Sequence, residues 1–424
     1  MADRIVVIGV GADGRLARPL PEGVRRVAGG RRHLDVHAPS GPATTVLAGD
    51  LDGALAEIEG TAGTVAVLAS GDPGWFGIVR RLAAAVGTER LEVHPAASSV
   101  AAAFARVGLA WEDAVVVSAH GREPGAAIAA ALAHPKVAVL TSPELTPAAL
   151  ASRLAAAGCG PRRVVVAARL GHDDAAVHET DLTRAADLEV ADPNVVLLID
   201  PDRPAGHPAS GRPSSHGPRR PATVLGHLPA PRPWARPADV YRHRDGQVSK
   251  PEVRALALAH LAPGPGRLLW DLGCGSGSVA VEAAGLGAGV VALDRDAEQL
   301  ARTRANAHHH DVGLGLVHGV CPDALAPLPD PDAVFVGGGG GRLPAILEAV
   351  TARARDRIAV ALATVERAGP CLEQLRGAGW HADAQLVQIH DLAPLGSGHR
   401  LAPRNPVVLV LARRPLATHT GGSS

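Results

Sequence analysis

Leu268-Leu269-Trp270-Asp271-Leu272-Gly273-Cys274-Gly275-Ser276-Gly277-Ser278-Val279 is a short apolar run that meets an acidic residue and then three alternating glycines. Leu268 to Trp270 carry strand character, while Gly273, Gly275 and Gly277 let the backbone turn sharply and approach a ligand that any Cβ would push away. Residues 279–284 read as the opening of a helix whose free N–H groups face the ligand's polar end. The next strand, residues 289–293, ends at Asp294, about 20 residues past the glycines, where doubly wound sheets bring an acidic side chain to ribose hydroxyls. A nicotinamide-binding turn would carry its third glycine at position 278, which is Ser278 here, so the spacing points to S-adenosyl-L-methionine. A glycine turn without a ligand is the remaining reading. The cofactor set read from this stretch is Asp271, Gly273, Gly275, Gly277 and Asp294, with Cys274 a small filler residue that has no partner base nearby.

At 424 residues the chain is too long for one typical domain, and its 46% hydrophobic content is ample for two cores. The 42 basic and 42 acidic residues cancel to +0, so no global field favours nucleic acid or an anionic membrane, and neither is expected as a partner. Aromatics make up only 2%, which argues against base-stacking platforms. Abundant alanine, arginine, glycine and proline with scarce lysine reads as codon bias rather than low complexity. Cys159, Cys274, Cys321 and Cys371 are far apart with no CxxC pair, so no zinc site or disulfide framework is expected and a reducing cytoplasm fits. His308, His309 and His310 cannot all face one ion from a helix and read as an exposed helix end, so no metal is expected. The chain runs at once into the strand-like residues 4–10, without a basic and apolar leader or a membrane-length apolar stretch, as in a soluble, unexported protein.

Residues 201–239 are crowded with proline, glycine and serine and read as a linker. Upstream, apolar runs at 5–10, 65–69, 115–118, 137–140, 164–168 and 195–199 alternate with alanine-rich segments such as 148–157, the pattern of an α/β domain over residues 1–200. Downstream, residues 251–261 read as a helix, and strands near Leu268, Val290, Leu314, Ala333, Ile358 and Val407 suit a second, Rossmann-like doubly wound sheet over residues 240–424. In the first half, Gly9-Val10-Gly11, Ser70-Gly71-Asp72-Pro73-Gly74-Trp75-Phe76-Gly77 and Val117-Ser118-Ala119-His120-Gly121-Arg122 each follow a strand. Three such exits on one sheet would make a cleft at the strands' carboxyl ends, where open α/β sheets bind ligands.

SGDPGWFG, VSAHGR, LTSPELTPAALASRLAAAG and VVVAARLGHDDAAVHETDL resemble the tetrapyrrole methylase family, in its cobalamin-pathway branch, over roughly residues 3–200. The first loop departs from that family's GxGPG by placing Ala12 and Asp13 there. The resemblance implies that Gly9, Gly11, Ser70, Gly71, Asp72, Ser98 and Ser99 contact the methyl donor or shape its pocket, and that His120 and Arg122 face the tetrapyrrole. A histidine bonded only to its own loop is the ordinary alternative for His120.

The second half resembles the methyltransferase and decarboxylase domain of the same pathway, through Val248-Ser249-Lys250-Pro251-Glu252-Val253-Arg254, the glycine run 337–341, Gly398-His399-Arg400 and Arg404-Asn405-Pro406-Val407. Val320 stands where that family commonly has an acidic residue, so the resemblance implies an adenine contact that is either lost or moved to Asp323. On their own, five consecutive glycines fit a flexible loop as well as the close approach of a large flat ligand; the resemblance favours a ligand at Gly338. Lys250, Arg254, Arg400 and Arg404 have an ordinary reading as solvated charges, and a tetrapyrrole's acetate and propionate groups would give them guanidinium and ammonium roles. His399 is a candidate proton donor, with Lys250 and Arg400 grouped beside it as catalytic.

Together the halves resemble the fused two-domain methyltransferases of cobalamin biosynthesis. The resemblance implies methylation of a precorrin at carbons 5 and 15 from S-adenosyl-L-methionine, with decarboxylation of the ring C acetate, in a homo-oligomer. Two other readings stay open: a first half that only binds and delivers tetrapyrrole, and methyl transfer to a small molecule or RNA, the latter disfavoured by neutral charge and few aromatics.

Overall fold

The structure, a computed structural model, describes residues 2–119, 123–203, 234–244 and 248–415. Most of the expected linker, residues 204–233, lies outside the described residues. Among those described, no helix is long and apolar enough to cross a membrane.

The first half contains two five-stranded sheets rather than one. The first orders Ala43–Val46, Arg26–Gly29, Gly63–Ser70, Ala2–Val10 and Leu91–His94, all parallel. Ile5, Val6, Val7 and Ile8 are fully buried in succession, as a parallel strand covered on both faces requires. The second sheet orders Val115–Ser118, Lys136–Leu140, Asn194–Ile199, Arg163–Ala168 and Ala176–Asp181, with only the first pair parallel. The strand exit at Ser118 therefore belongs to a different sheet from those at Val10 and Ser70, which corrects the expected one-sheet cleft. The ligand-sized space lies between sheets.

The second half is a seven-stranded sheet in the order Gly315–His318, Gly289–Asp294, Leu268–Leu272, Ala333–Val336, Arg357–Leu362, Val407–Arg413 and His381–Val387, in which Val407–Arg413 runs antiparallel to both of its neighbours. The crossovers into Gly289–Asp294, Gly315–His318 and Arg357–Leu362 each carry a helix, but the one into Ala333–Val336 carries only the 3₁₀ turn Asp323–Leu325. That leaves the face of Trp270, Leu272, Val291 and Leu293 to be covered from elsewhere. Helix Gly125–Ala133 of the first half covers it: its sequence GAAIAAALA is apolar all round, and residues 127–132 are buried in one core with those four side chains. The backbones touch there, since a Cβ on Gly289 would lie 2.4 Å from Ala129 Cα and one on Gly315 would lie 2.0 Å from the Ala157 carbonyl oxygen.

Candidate active sites

In the second half a cavity of about 710 Å³ opens at the carboxyl ends of the parallel strands. Asp271, Gly273, Gly275, Asp294, Gly319, Val320 and Gly337 line it. Gly273, Gly275 and Gly277 all have φ between +56° and +71°, a region costly for other residues. Gly275 donates its N–H to Asp294 Oδ2 at 2.9 Å, and Asp294 Oδ1 accepts from Asp296 N at 3.0 Å, so the acid that ends the second strand also clamps the glycine loop. From below, Thr303 Oγ1 donates to the Gly275 carbonyl at 2.9 Å and Asn306 Nδ2 to the Ser276 carbonyl at 2.8 Å. Both lie on helix Ala297–His309, and neither was signalled by sequence, because a buried Thr or Asn on a helix has no spacing signature.

Asp271 is buried, and its Oδ2 accepts from Ala280 N at 3.0 Å while its buried Oδ1 has no partner among the described residues. Burial, reinforced by the nearby Asp294 charge, pushes its carboxyl up to about 7. An orphaned acid oxygen, a loop with glycine at alternate positions and a second carboxylate at the next strand end fit a ligand with a diol and a cationic centre. Cys274 is buried, and its thiol is pushed up by burial and then by Asp271, as suits a filler residue.

The expected substrate and catalytic residues of this half do not converge on the cavity. Arg254 is fully buried: its Nε lies 2.8 Å from Glu282 Oε1 and its ring-side neighbour is Tyr241, so it is a core residue and not a substrate ligand. Arg404 is spent on a bidentate pair with Asp391, at 2.7 and 2.6 Å. Lys250 donates to the Asn405 carbonyl. His399 and Arg400 sit exposed on the hairpin His390–Leu395 and Gly398–Pro403, away from the cavity lining. Asp323 is exposed, 3.6 Å from Arg342, and outside the lining, so the adenine contact does not move to it; Val320 and Cys321 occupy that wall. Gly337 and Gly339 to Gly341 line the cavity, and Gly338 does not. The cations that do line it are Arg244, Arg295 and Arg342, which lay in no motif. His308 and His309 are exposed at their helix end as read, His310 packs on Tyr241, and no metal-ligand cluster occurs among the described residues.

The first half has its own cavity, about 680 Å³, lined by Gly11, Ser70, Gly71, Asp72, Ser98 and Ser99. Gly9 does not line it but allows the strand ends to close up: a Cβ there would sit 2.3 Å from the Gly71 carbonyl oxygen. Asp72 Oδ1 accepts from Gly74 N at 2.8 Å, and Ser98 Oγ caps helix Ser99–Arg106 through Ala101 N at 3.1 Å. His120 and Arg122 lie outside the described residues. Sequence reasoning missed Arg32 and His33 on helix Arg31–His37, which both reach Ser70 Oγ, at 2.6 and 2.9 Å.

Comparison with known proteins follows the same division. Residues 2–186 match the family model of tetrapyrrole (corrin/porphyrin) methylases, and residues 239–414 that of the precorrin methyltransferase domain. A precorrin-6Y C(5,15)-methyltransferase [decarboxylating] from Sinorhizobium sp. is 36% identical over 375 residues, 83% of each chain. A cobalt-precorrin-7 C(5)-methyltransferase of Salmonella typhimurium is 31% identical over 46% of this chain and 98% of its own length. A probable cobalt-precorrin-6B C(15)-methyltransferase (decarboxylating) of Pyrobaculum calidifontis is 38% identical over 42% of this chain and 94% of its own.

Proposed function

Because this chain belongs to the precorrin-6Y C(5,15)-methyltransferase (decarboxylating) family, we propose that it methylates precorrin-6B at carbons 5 and 15 and decarboxylates the ring C acetate, giving precorrin-8X in cobalamin biosynthesis. The first half would methylate carbon 5, and the second would methylate carbon 15 and decarboxylate. The observation that carries this division is the presence of two separate cavities, one in each half.

S-adenosyl-L-methionine would supply an activated methyl group at both. In the second half, where all four line the cavity, Asp294 would meet its ribose diol, Asp271 its cationic end, and Gly273 and Gly275 would allow close backbone approach. In the first half Gly71, Asp72, Ser98 and Ser99 form the corresponding wall, with Gly9 and Gly11 shaping it. The reduced macrocycle already has nucleophilic meso carbons, so the chain's task is placement and exclusion of water. Decarboxylation would use the conjugated ring as electron sink once the acetate's breaking bond is aligned with it, and the carbon left after loss of carbon dioxide would take a proton to become a methyl group. The reacting acetate should then be the one least well paired with a cation, and the lining residues Arg244, Arg295 and Arg342 would hold the others.

Mass spectrometry of products from precorrin-6B and S-adenosyl-L-methionine, compared among wild type, Asp72→Ala and Asp294→Ala, tests the reading. Two added methyls and loss of carbon dioxide in wild type, with each variant stalling after a different partial change, support two working sites. Wild type that performs only the C-terminal reactions would leave the first half as a tetrapyrrole-binding module, and no mass change would refute the assignment.

A further inference from the structure

The chain has five tryptophans, three phenylalanines and one tyrosine, and four of these nine rings form one stack at the first half's cavity. Trp75 lies 5.3 Å from Trp111 with an interplanar angle of 21°, Trp111 lies 6.4 Å from Phe104, and Trp75 lies 6.2 Å from Phe76. Phe104 is buried and Trp111 packs on its core, whereas Trp75 and Phe76 are 36% and 46% exposed and both line the cavity. Phe76 also holds φ +54°, a left-handed conformation that an aromatic residue seldom adopts and that is typical of strain kept at functional sites. An anchored stack that turns an open face to a cavity is a platform for a flat ligand.

The same cavity is lined by Arg32, His33, His37 and His172. Arg32 and His33 both reach the Ser70 hydroxyl rather than a carboxylate. Asp72 and Asp192 also line the cavity, but Asp72 accepts from Gly74 N and Asp192 from Asn194 Nδ2. Burial, then Arg32, His37 and His172, push His33 down to about 4, so its ring is uncharged at neutral pH and Arg32 is the guanidinium that lines the cavity. A guanidinium beside an aromatic face, with the two lining carboxylates already accepting hydrogen bonds within the fold, matches a flat ring that bears carboxylates.

We propose that the first half seats a polycarboxylate tetrapyrrole with its ring plane on Trp75 and Phe76 and one peripheral carboxylate on Arg32, with His37 and His172 beside it. This rests on the reading of that half as a tetrapyrrole methylase. The methyl donor also carries an aromatic ring and a carboxylate, so the test separates the two sources. Rings left about half-exposed offer a face to the larger of the two ligands, the macrocycle.

The full-length chain would be assayed as wild type, Arg32→Gln, Trp75→Leu and the control Arg31→Gln, whose side chain does not line the cavity. Donor carrying a ¹³C methyl group lets NMR resolve carbon 5 from carbon 15 methylation. Arg32→Gln should raise the tetrapyrrole KM for carbon 5 methylation about 10-fold to 100-fold, and Trp75→Leu about tenfold. Arg31→Gln should leave it unchanged. Carbon 15 methylation and decarboxylation should stay at wild-type rates in all of them, which also reports that the chain is folded. Donor affinity of the first half, measured by calorimetry in the Asp294→Ala background, should be unaltered. A wild-type tetrapyrrole KM in both cavity variants would overturn the seat, and a fall in donor affinity at constant tetrapyrrole KM would assign the cluster to the donor instead. Wild type that forms no carbon 5 product would remove the methylase reading beneath the proposal.

Discussion

Arg254 gives the sharpest separation between a structural and a functional cation. Its side chain and that of Glu282 are 0% and 1% exposed, 2.8 Å apart. Glu282 also accepts from Tyr241 OH at 2.9 Å, Arg236 N at 2.9 Å and Ala235 N at 2.8 Å, while Arg254 donates to the carbonyls of Ser249 and Arg236. The pair therefore ties the segment before helix Pro251–Leu261 to helix Ser278–Gly285, behind the glycine loop. Arg254→Met leaves a buried carboxylate with neutral donors only, which costs about 3–5 kcal/mol. At about 2–4 °C per kcal/mol for a unit of 150–250 residues, that lowers the melting temperature by roughly 6–20 °C in calorimetry. Adding Glu282→Gln removes the stranded charge while keeping an acceptor, and should recover about 1–3 kcal/mol of the loss. Below its melting transition Arg254→Met should keep the wild-type tetrapyrrole KM. A variant that melts with the wild type but binds tetrapyrrole poorly would refute this reasoning and return Arg254 to the substrate.

Two further outcomes follow from buried groups. Asp271 keeps its proton up to about 7 in the folded chain, against an ordinary carboxyl value of 3.8. The native state thus binds more protons than the unfolded state between those values, so this residue's contribution to stability is full at the acid end and is lost as pH rises. Asp271→Asn should flatten that part of the melting curve against pH, and a variant profile parallel to wild type from acid to neutral would exclude this residue as the cause. At the junction of the halves, Gly289→Ala would drive a Cβ to within 2.4 Å of Ala129 Cα. Urea unfolding should show a loss of about 1–3 kcal/mol, and an unchanged midpoint would show that helix Gly125–Ala133 does not press on the sheet as described.

Much of the fold was legible because strands buried on both faces are written as unbroken apolar runs. Residues 5–10, 65–69, 137–140, 164–168 and 195–199 all fall within strands. The donor loop was legible too, since positive φ at Gly273, Gly275 and Gly277 strongly favours glycine at those positions. Cations were not legible. The letters of Arg254 and Arg404 are the same whether the side chain meets a substrate, a buried Glu282 or a surface Asp391. Arg32 and His33 escaped notice because RRHLDVH is a seven-residue helix with no motif, and only the fold carries it to Ser70.

The sequence by itself determined two α/β halves, a glycine-rich turn with an acid at the following strand end, and the family to which both halves belong. These are local properties, set by backbone conformation and by the spacing of apolar residues along one strand or helix. The tertiary structure alone decided that the first half divides into two sheets, that helix Gly125–Ala133 closes the second half's core where a crossover helix is lacking, and which charged side chains reach a cavity. Those outcomes depend on contacts between residues far apart in the chain, and no spacing along the chain encodes such a distance.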